Sequence, residues 1–257
     1  MKLYSFYTPS HDVLLKEFFL PTIHDEYELI LEMADQECVS ARFMDDGWLK
    51  TMLKKVDLIL RGIKENWGEP FLHSDVDVLF LRPTRLAIMD IMNGIDMAIH
   101  RNNLNGGLCA GFMAIQGNDR TLRLWQWIRD QMVCQAENTD GIPINDQALL
   151  CQSLIVNARF PWLPQALKTS MSRRGWNPCQ IRWDYLPDRF FGYGLVKRKI
   201  WKRGERFAVP KDIAVFHANY VVGVEDKKAI LDYVQDMVKR QWHHDGRLHP
   251  VCSVIQR

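Results

Sequence analysis

The chain has no Cys-x-x-Cys pair, no apolar run long enough to span a bilayer, no excess of either charge, no internal repeat and no low-complexity tract. Each absence removes a class of protein. Without paired cysteines a zinc ribbon or a redox dithiol is disfavoured, and the six cysteines, at 38, 109, 134, 151, 179 and 252, are expected as reduced, mostly buried thiols. Lys and Arg number 33 against 31 Asp and Glu, and the net charge of +2 is too small for nucleic-acid affinity built on a basic surplus. Nothing at the start reads as a signal peptide or anchor, so a cytoplasmic protein without a transmembrane segment is expected.

What is present is an alternation of strand and helix signals. Residues 2–8 read as a strand ended by Thr8-Pro9-Ser10, Val13–Thr22 as a short helix broken by Pro21, and Glu28–Met33 as a second apolar run. Trp48, Met52, Leu53, Val56, Ile59, Leu60 and Ile63 recur at helical spacing, which predicts a helix up to Asn66 capped by Asp45 or Asp46. Met97–His100 and Leu108–Ile115 read as strands, and Leu122–Val133, Ile144–Val156 and Val224 to Gln241 as helices. The pattern predicts an α/β layered domain with a mostly parallel central sheet flanked by helices. Past residue 157 only Ile213–Phe216 stands out as a strand. The Pro-, Arg- and Trp-rich stretch before it is expected to be irregular and to form one side of a cleft, with Arg173-Arg174-Gly175 as a mobile point and Trp176, Trp183 and Trp201 as candidate aromatic platforms for a ligand.

The segment Phe71-Leu72-His73-Ser74-Asp75-Val76-Asp77-Val78-Leu79-Phe80-Leu81-Arg82-Pro83 places two carboxylates two residues apart within an apolar run. On a strand, side chains two apart share a face, so Asp75 and Asp77 would make one oxygen-rich site. Two like charges held close call for a cation, and hard oxygen ligands suit Mg²⁺ or Mn²⁺. His217 follows an apolar strand and can complete a metal shell, while Gly223 permits close backbone approach and Lys227 or Lys228 offers a countercharge to phosphate. Asn145-Asp146-Gln147 opens a helix; it is either an N-cap with a dipole-favoured acid, or a site where Asp146 binds sugar hydroxyls and Gln147 reaches the reacting centre. Asn105 to Phe112 lacks the spacing of a phosphate loop and reads as a turn into a strand that leaves room for a ligand. His243, His244 and His249 match no zinc spacing.

Taken in order, Asp75-Val76-Asp77, the Gly106–Phe112 stretch, Asn145-Asp146-Gln147 and His217-Ala218-Asn219-Tyr220-Val221-Val222-Gly223 resemble the nucleotide-diphospho-sugar transferase family of retaining glycosyltransferases with a GT-A fold, which includes plant cell-wall xylosyl-, arabinosyl- and galactosyltransferases. The glycine-rich stretch is longer in glycine than that family's Asn-x-Gly-Phe. The resemblance implies one GT-A-like catalytic domain over residues 1–257, with 1–156 binding the nucleotide sugar and 157–257 forming the acceptor-side and closing part. It implies that Asp77 and His217 ligate Mn²⁺ (or Mg²⁺), that Asp75 reaches metal and ribose, that Asp146 and Gln147 line the donor sugar as catalytic candidates, and that Gly223 and Lys227 lie at the diphosphate. The implied partners are a nucleotide-sugar donor, UDP-linked by expectation, and a glycan acceptor. Two other classes stay open: a sugar-nucleotide nucleotidyltransferase, which would carry a glycine-rich basic loop where this chain has Tyr7-Thr8-Pro9-Ser10-His11, and a non-catalytic glycan-binding module, favoured by nine tryptophans.

Overall fold

The computed structural model describes residues 1–42, 45–137, 145–155 and 164–244; Ile144, Val156, Pro161, His249 and Cys252 lie outside the described residues. In chain order the strands are β1 (Lys2–Tyr7), β2 (Glu28–Met33), β3 (Pro70–Ser74), β4 (Val78–Phe80), β5 (Met97–Arg101), β6 (Leu108–Gln116), β7 (Trp183–Tyr185), β8 (Phe190–Gly192) and β9 (Val215–His217). The helices are α1 (Asp12–Leu14) and α2 (Leu20–Thr22), α3 (Trp48–Glu65), α4 (Arg85–Met92), α5 (Asp119–Glu137), α6 (Asp146–Leu154), α7 (Gln165–Arg173) and α8 (Val224–His244). A π-turn over Leu15–Phe19 joins α1 to α2. Pro21 has no N–H to give to residue 17, and the widened turn in front of it lets the helix continue to Thr22, where the sequence predicted a break.

Six strands form the central sheet in the order β2-β1-β3-β6-β5-β7. Three of its five pairings, β1 with β2, β1 with β3 and β5 with β7, are parallel, so the expected mostly parallel sheet is present with an antiparallel insertion at β6. Period-two alternation divides its side chains between two cores. Leu3, Leu72, Ala98, Phe112 and Ala114 face one, which β4, β9 and α8 complete. Tyr4, Phe71, Met97, Ile99, Met113 and Ile115 face the other, closed by α3, α5 and α6. Both faces are covered, which is why these strands read as continuous apolar runs.

A second sheet, β4-β9-β8, branches off the first. The chain reaches it by leaving β3 at Ser74 and entering β4 at Val78, so Asp75-Val76-Asp77 is the crossing between two sheets and not part of one strand. Strand alternation is therefore not what brings the carboxylates together. The Asp75 N–H still donates to Gly111 O at 2.8 Å, the Ala218 N–H donates to Asp77 O at 3.0 Å, and the crossing is pinned from both sides.

Three further expectations need correction. The N-cap of α3 is Gly47, with φ +78 and no side-chain cap, and not Asp45 or Asp46. A Cβ at Gly47 would lie 2.0 Å from Glu37 O, so the tight approach of the preceding loop dictates a glycine there. The region after 157 is less irregular than its composition suggests, since it contributes α7, β7 and β8. Helix α4 was not foreseen, because Arg82-Pro83 reads as an end and masks the short amphipathic turn behind it. Among the described residues no helix is long and apolar enough to cross a membrane. Among the described residues the cysteines form no disulfide; Cys38 and Cys109 are buried, Cys151 and Cys179 half-buried and Cys134 exposed.

Candidate active site

Three backbone segments meet where the two sheets part. Register sets His217, the last residue of β9, across from Val78 and hence beside Asp77, and sets Gly111 of β6 across from Asp75. The ligand atoms of Asp75, Asp77 and His217 all lie within 4.8 Å of one another. They stand in a cleft of about 530 Å³ that is also lined by Lys55, Asp146, Gln147, Gly223 and Lys227. Asp75, Asp77, Asp146, Gln147, His217, Gly223 and Lys227, all singled out from the sequence, line this one cleft.

The charges are arranged in two interlocked groups. Asp77 lies 2.8 Å from Lys227 Nζ and 3.3 Å from His217 Nε2. Burial works against its ionisation, but Lys227 and His217 offset that and hold its carboxyl well below the usual range. His217 is pushed up to about 10: burial opposes its charge, and the Cys109 sulfur and the Asp77 carboxylate more than compensate. Lys228, the other lysine considered, turns away to Glu17 at 3.1 Å. In the second group Lys55, on the buried face of α3, lies 2.7 Å from Asp146 Oδ2 and 3.7 Å from Asp75 Oδ1. Burial alone would lower the Lys55 pKa, yet the two carboxylates raise it, and Lys55 with His73 in turn depresses Asp75.

Asn145 is the N-cap of α6, its side chain accepting from the Ala148 N–H at 2.7 Å, which leaves Asp146 and Gln147 in the first turn facing the cleft. Gln147 Oε1 accepts from the Ala110 N–H at 3.3 Å. Asn219 ties Asn102 to Gly194 through three hydrogen bonds and is a structural clamp behind the cleft. The candidate platforms separate clearly: Trp183 and Trp201 are core residues, whereas Trp176 is 62% exposed. Arg173 is held by Asp184 and faces the Tyr185 ring, away from the carboxylates. Where a nucleotidyltransferase would have a glycine-rich loop, Pro9–His11 forms a 3₁₀ turn.

Lys55 was missed in the sequence, although a signal existed: it falls between Met52 and Ile59 on the apolar stripe of α3, where a lysine has no reason to sit unless a buried anion awaits it. His73 and His100 were missed too. Both are fully buried and their ring nitrogens have no partner in hydrogen-bonding geometry. Burial lowers both pKa values, that of His100 to about 3, so each ring stays neutral in the folded protein while the unfolded chain takes up a proton below about 6.5. The unfolded state then binds more protons, and stability is expected to fall as pH drops from 6.5 toward 3, with a slope reaching about 1.4 kcal/mol per pH unit from His100 and a contribution of the same sign from His73. Urea melts across that range check this, and His100→Gln should flatten the slope.

The donor set, carboxylate oxygens with one imidazole, fits Mn²⁺ or Mg²⁺. Gly111 leaves the space between the two side chains open: a Cβ there would lie 2.6 Å from Asp75 Oδ2 and 2.5 Å from His217 Cε1. Gly111→Ala is therefore expected to weaken Mn²⁺ binding by more than about tenfold, with a much smaller loss of thermal stability. Equal affinity for Mn²⁺, read from its electron paramagnetic resonance signal, would contradict it.

A family model for nucleotide-diphospho-sugar transferases matches residues 12–231. The chain belongs to that family. Its members are glycosyltransferases. A glycosyltransferase involved in glycosylation of the major capsid of PBCV-1 superposes with a TM-score of 0.52, at 10% identity, over 91% of this chain and 98% of that one. The galactosyltransferase LgtC superposes with a TM-score of 0.47 at 12% identity over 95% and 99% of the two chains. GlyE of Streptococcus pneumoniae gives 0.47 at 12% identity over 99% of this chain, which spans 66% of GlyE's length. At such identities the likeness speaks for the fold, and the fold of this transferase is of GT-A type. No curated protein sequence matches the chain.

Proposed function

We propose that this transferase moves a sugar from a nucleotide diphosphate, UDP-linked in the first instance, to a hydroxyl of a glycan acceptor, with retention of configuration and dependence on Mn²⁺ or Mg²⁺. The observation that supports it best is the convergence of Asp75, Asp77 and His217 in one cleft with Lys227 2.8 Å from Asp77. In this reading Asp77 and His217 hold the ion and Asp75 reaches both ion and ribose. When bound, the ion supplies positive charge against which the diphosphate can leave. Lys227, whose ammonium lies 2.8 Å from Asp77 beside the left-handed turn at Gly223 (φ +87), would offer its charge to the departing phosphate oxygens.

Gln147, its carbonyl fixed by the Ala110 N–H, would have its amide N–H groups left to donate to hydroxyls of the donor sugar. Asp146, its carboxylate oriented by Lys55, accepts from another hydroxyl. Holding donor and acceptor in one cleft supplies much of the rate. Front-face attack, in which the leaving diphosphate oxygen takes the acceptor proton, needs no protein base. A screen of UDP-sugars for hydrolysis tests the reading. Turnover with Mn²⁺ and none with EDTA is expected, and a sugar bound equally in both and never cleaved would point to a glycan-binding module.

A further inference from the structure

Behind the aspartates lies a second group of ligand atoms with different chemistry. His100, Cys109 and His217 are all buried, and their ligand atoms also lie within 4.8 Å of one another. Cys109 Sγ is 3.5 Å from His217 Nδ1, and the two imidazole rings are 5.6 Å apart and inclined by 50°. His100 brings the independent observation: it is fully buried, the Phe190 backbone beside it falls short of hydrogen-bonding geometry, and both ring nitrogens are left without a well-formed partner, an unfavourable placement for a polar group unless something is there to be bound. Glycines seat both rings, since a Cβ at Gly192 would meet His100 Cε1 at 2.7 Å and one at Gly111 would meet His217 Cε1 at 2.5 Å.

We propose that His100, Cys109 and His217 form an inhibitory site for a thiophilic divalent ion, zinc above all, distinct from the oxygen-rich site at the aspartates. A thiolate with two imidazoles is a donor set that zinc prefers and Mn²⁺ does not. Binding forms bonds from the ion to Cys109 Sγ, to a nitrogen of His100 and to His217 Nδ1, and the protons carried by Cys109 Sγ and His217 Nδ1 leave to solvent. The consequence follows from the imidazole itself. A neutral ring has one lone pair and one N–H, so His217 bound through Nδ1 carries its proton on Nε2, the nitrogen that faces Asp77 at 3.3 Å. That nitrogen can then no longer ligate the ion held by the aspartates. The two sites share one histidine, and filling the inner one empties the outer one.

The inhibitory half of this inference rests on the proposed metal dependence; the binding half does not, and cobalt separates them. Co²⁺ added to the intact chain is expected to give a thiolate-to-cobalt charge-transfer band in the near ultraviolet, absent in Cys109→Ser and weakened in His100→Gln. Zinc should displace the cobalt and bleach the band. In a second arm, one equivalent of Zn²⁺ should weaken UDP binding in the presence of Mn²⁺ by more than about tenfold in the natural chain and far less in Cys109→Ser. A cobalt spectrum without the thiolate band, or a band that Cys109→Ser retains, overturns the site. The band with equal zinc inhibition in both proteins places the inhibitory zinc at the aspartates and overturns the shared-histidine switch. UDP binding that ignores Mn²⁺ altogether counts against the proposed function while the band still reports on the inner site.

Discussion

Replacing Asp77 with asparagine is expected to reduce metal-dependent nucleotide binding and turnover by more than about a hundredfold while the fold survives. The substitution keeps the shape and removes one anionic ligand. It also leaves Lys227 and His217 facing each other without the carboxylate that separates them, at 2.8 and 3.3 Å in the natural chain. Lys227 is 21% exposed and can swing into solvent, so the cost to stability is expected to be modest. Asp77→Ala should lose as much activity and somewhat more stability. Turnover of the best donor sugar, measured with and without Mn²⁺ alongside a thermal melt, checks both. An Asp77→Asn protein retaining a tenth or more of its activity would remove Asp77 from the site.

The largest loss of stability is expected at Lys55. Lys55 is 4% exposed, and its ammonium neutralises Asp146 at 2.7 Å and Asp75 at 3.7 Å. Lys55→Met fills the same space and leaves the Asp146 carboxylate buried without a counterion, which costs about 3–5 kcal/mol and a melting temperature lower by roughly 10 °C. Removing the stranded charge as well, in Lys55→Met/Asp146→Asn, should restore at least half of that loss, since it is the uncompensated ion and not the lost contact that is unfavourable. A Lys55→Met melt within about 1 kcal/mol of the natural chain would contradict the buried ion triad. Turnover should fall in both variants, because Asp75 and Asp146 lose the group that orients them.

The elements legible in the sequence were those whose signal is local. Strands β1, β2, β5 and β6 and helices α3, α5 and α8 announce themselves by apolar spacing, and Asn145 announces its cap. The residues that line the candidate cleft were legible for a different reason: ionisable or glycine positions at the ends of apolar runs have few structural uses. The grouping of Asp75 and Asp77 was anticipated for the wrong cause, because period-two alternation presumes one strand, and the switch from β3 to β4 is decided by the partner strands β6 and β9. Lys55, His73 and His100 escaped because each is polar inside an apolar stretch, and only the packed structure reveals what lies opposite. Strands β7 and β8 are three residues long, too short for a period to show, and owe their form to pairing with β5 and β9.

The central claim is that this cleft binds a nucleoside diphosphate through a divalent ion held by Asp75, Asp77 and His217. Titration calorimetry of UDP into the protein, once with Mn²⁺ and once after EDTA treatment, tests it most directly. The account predicts a one-to-one isotherm with Mn²⁺ and an affinity lower by at least about tenfold without it. Equal affinity in the two titrations, or no binding in either, would contradict it.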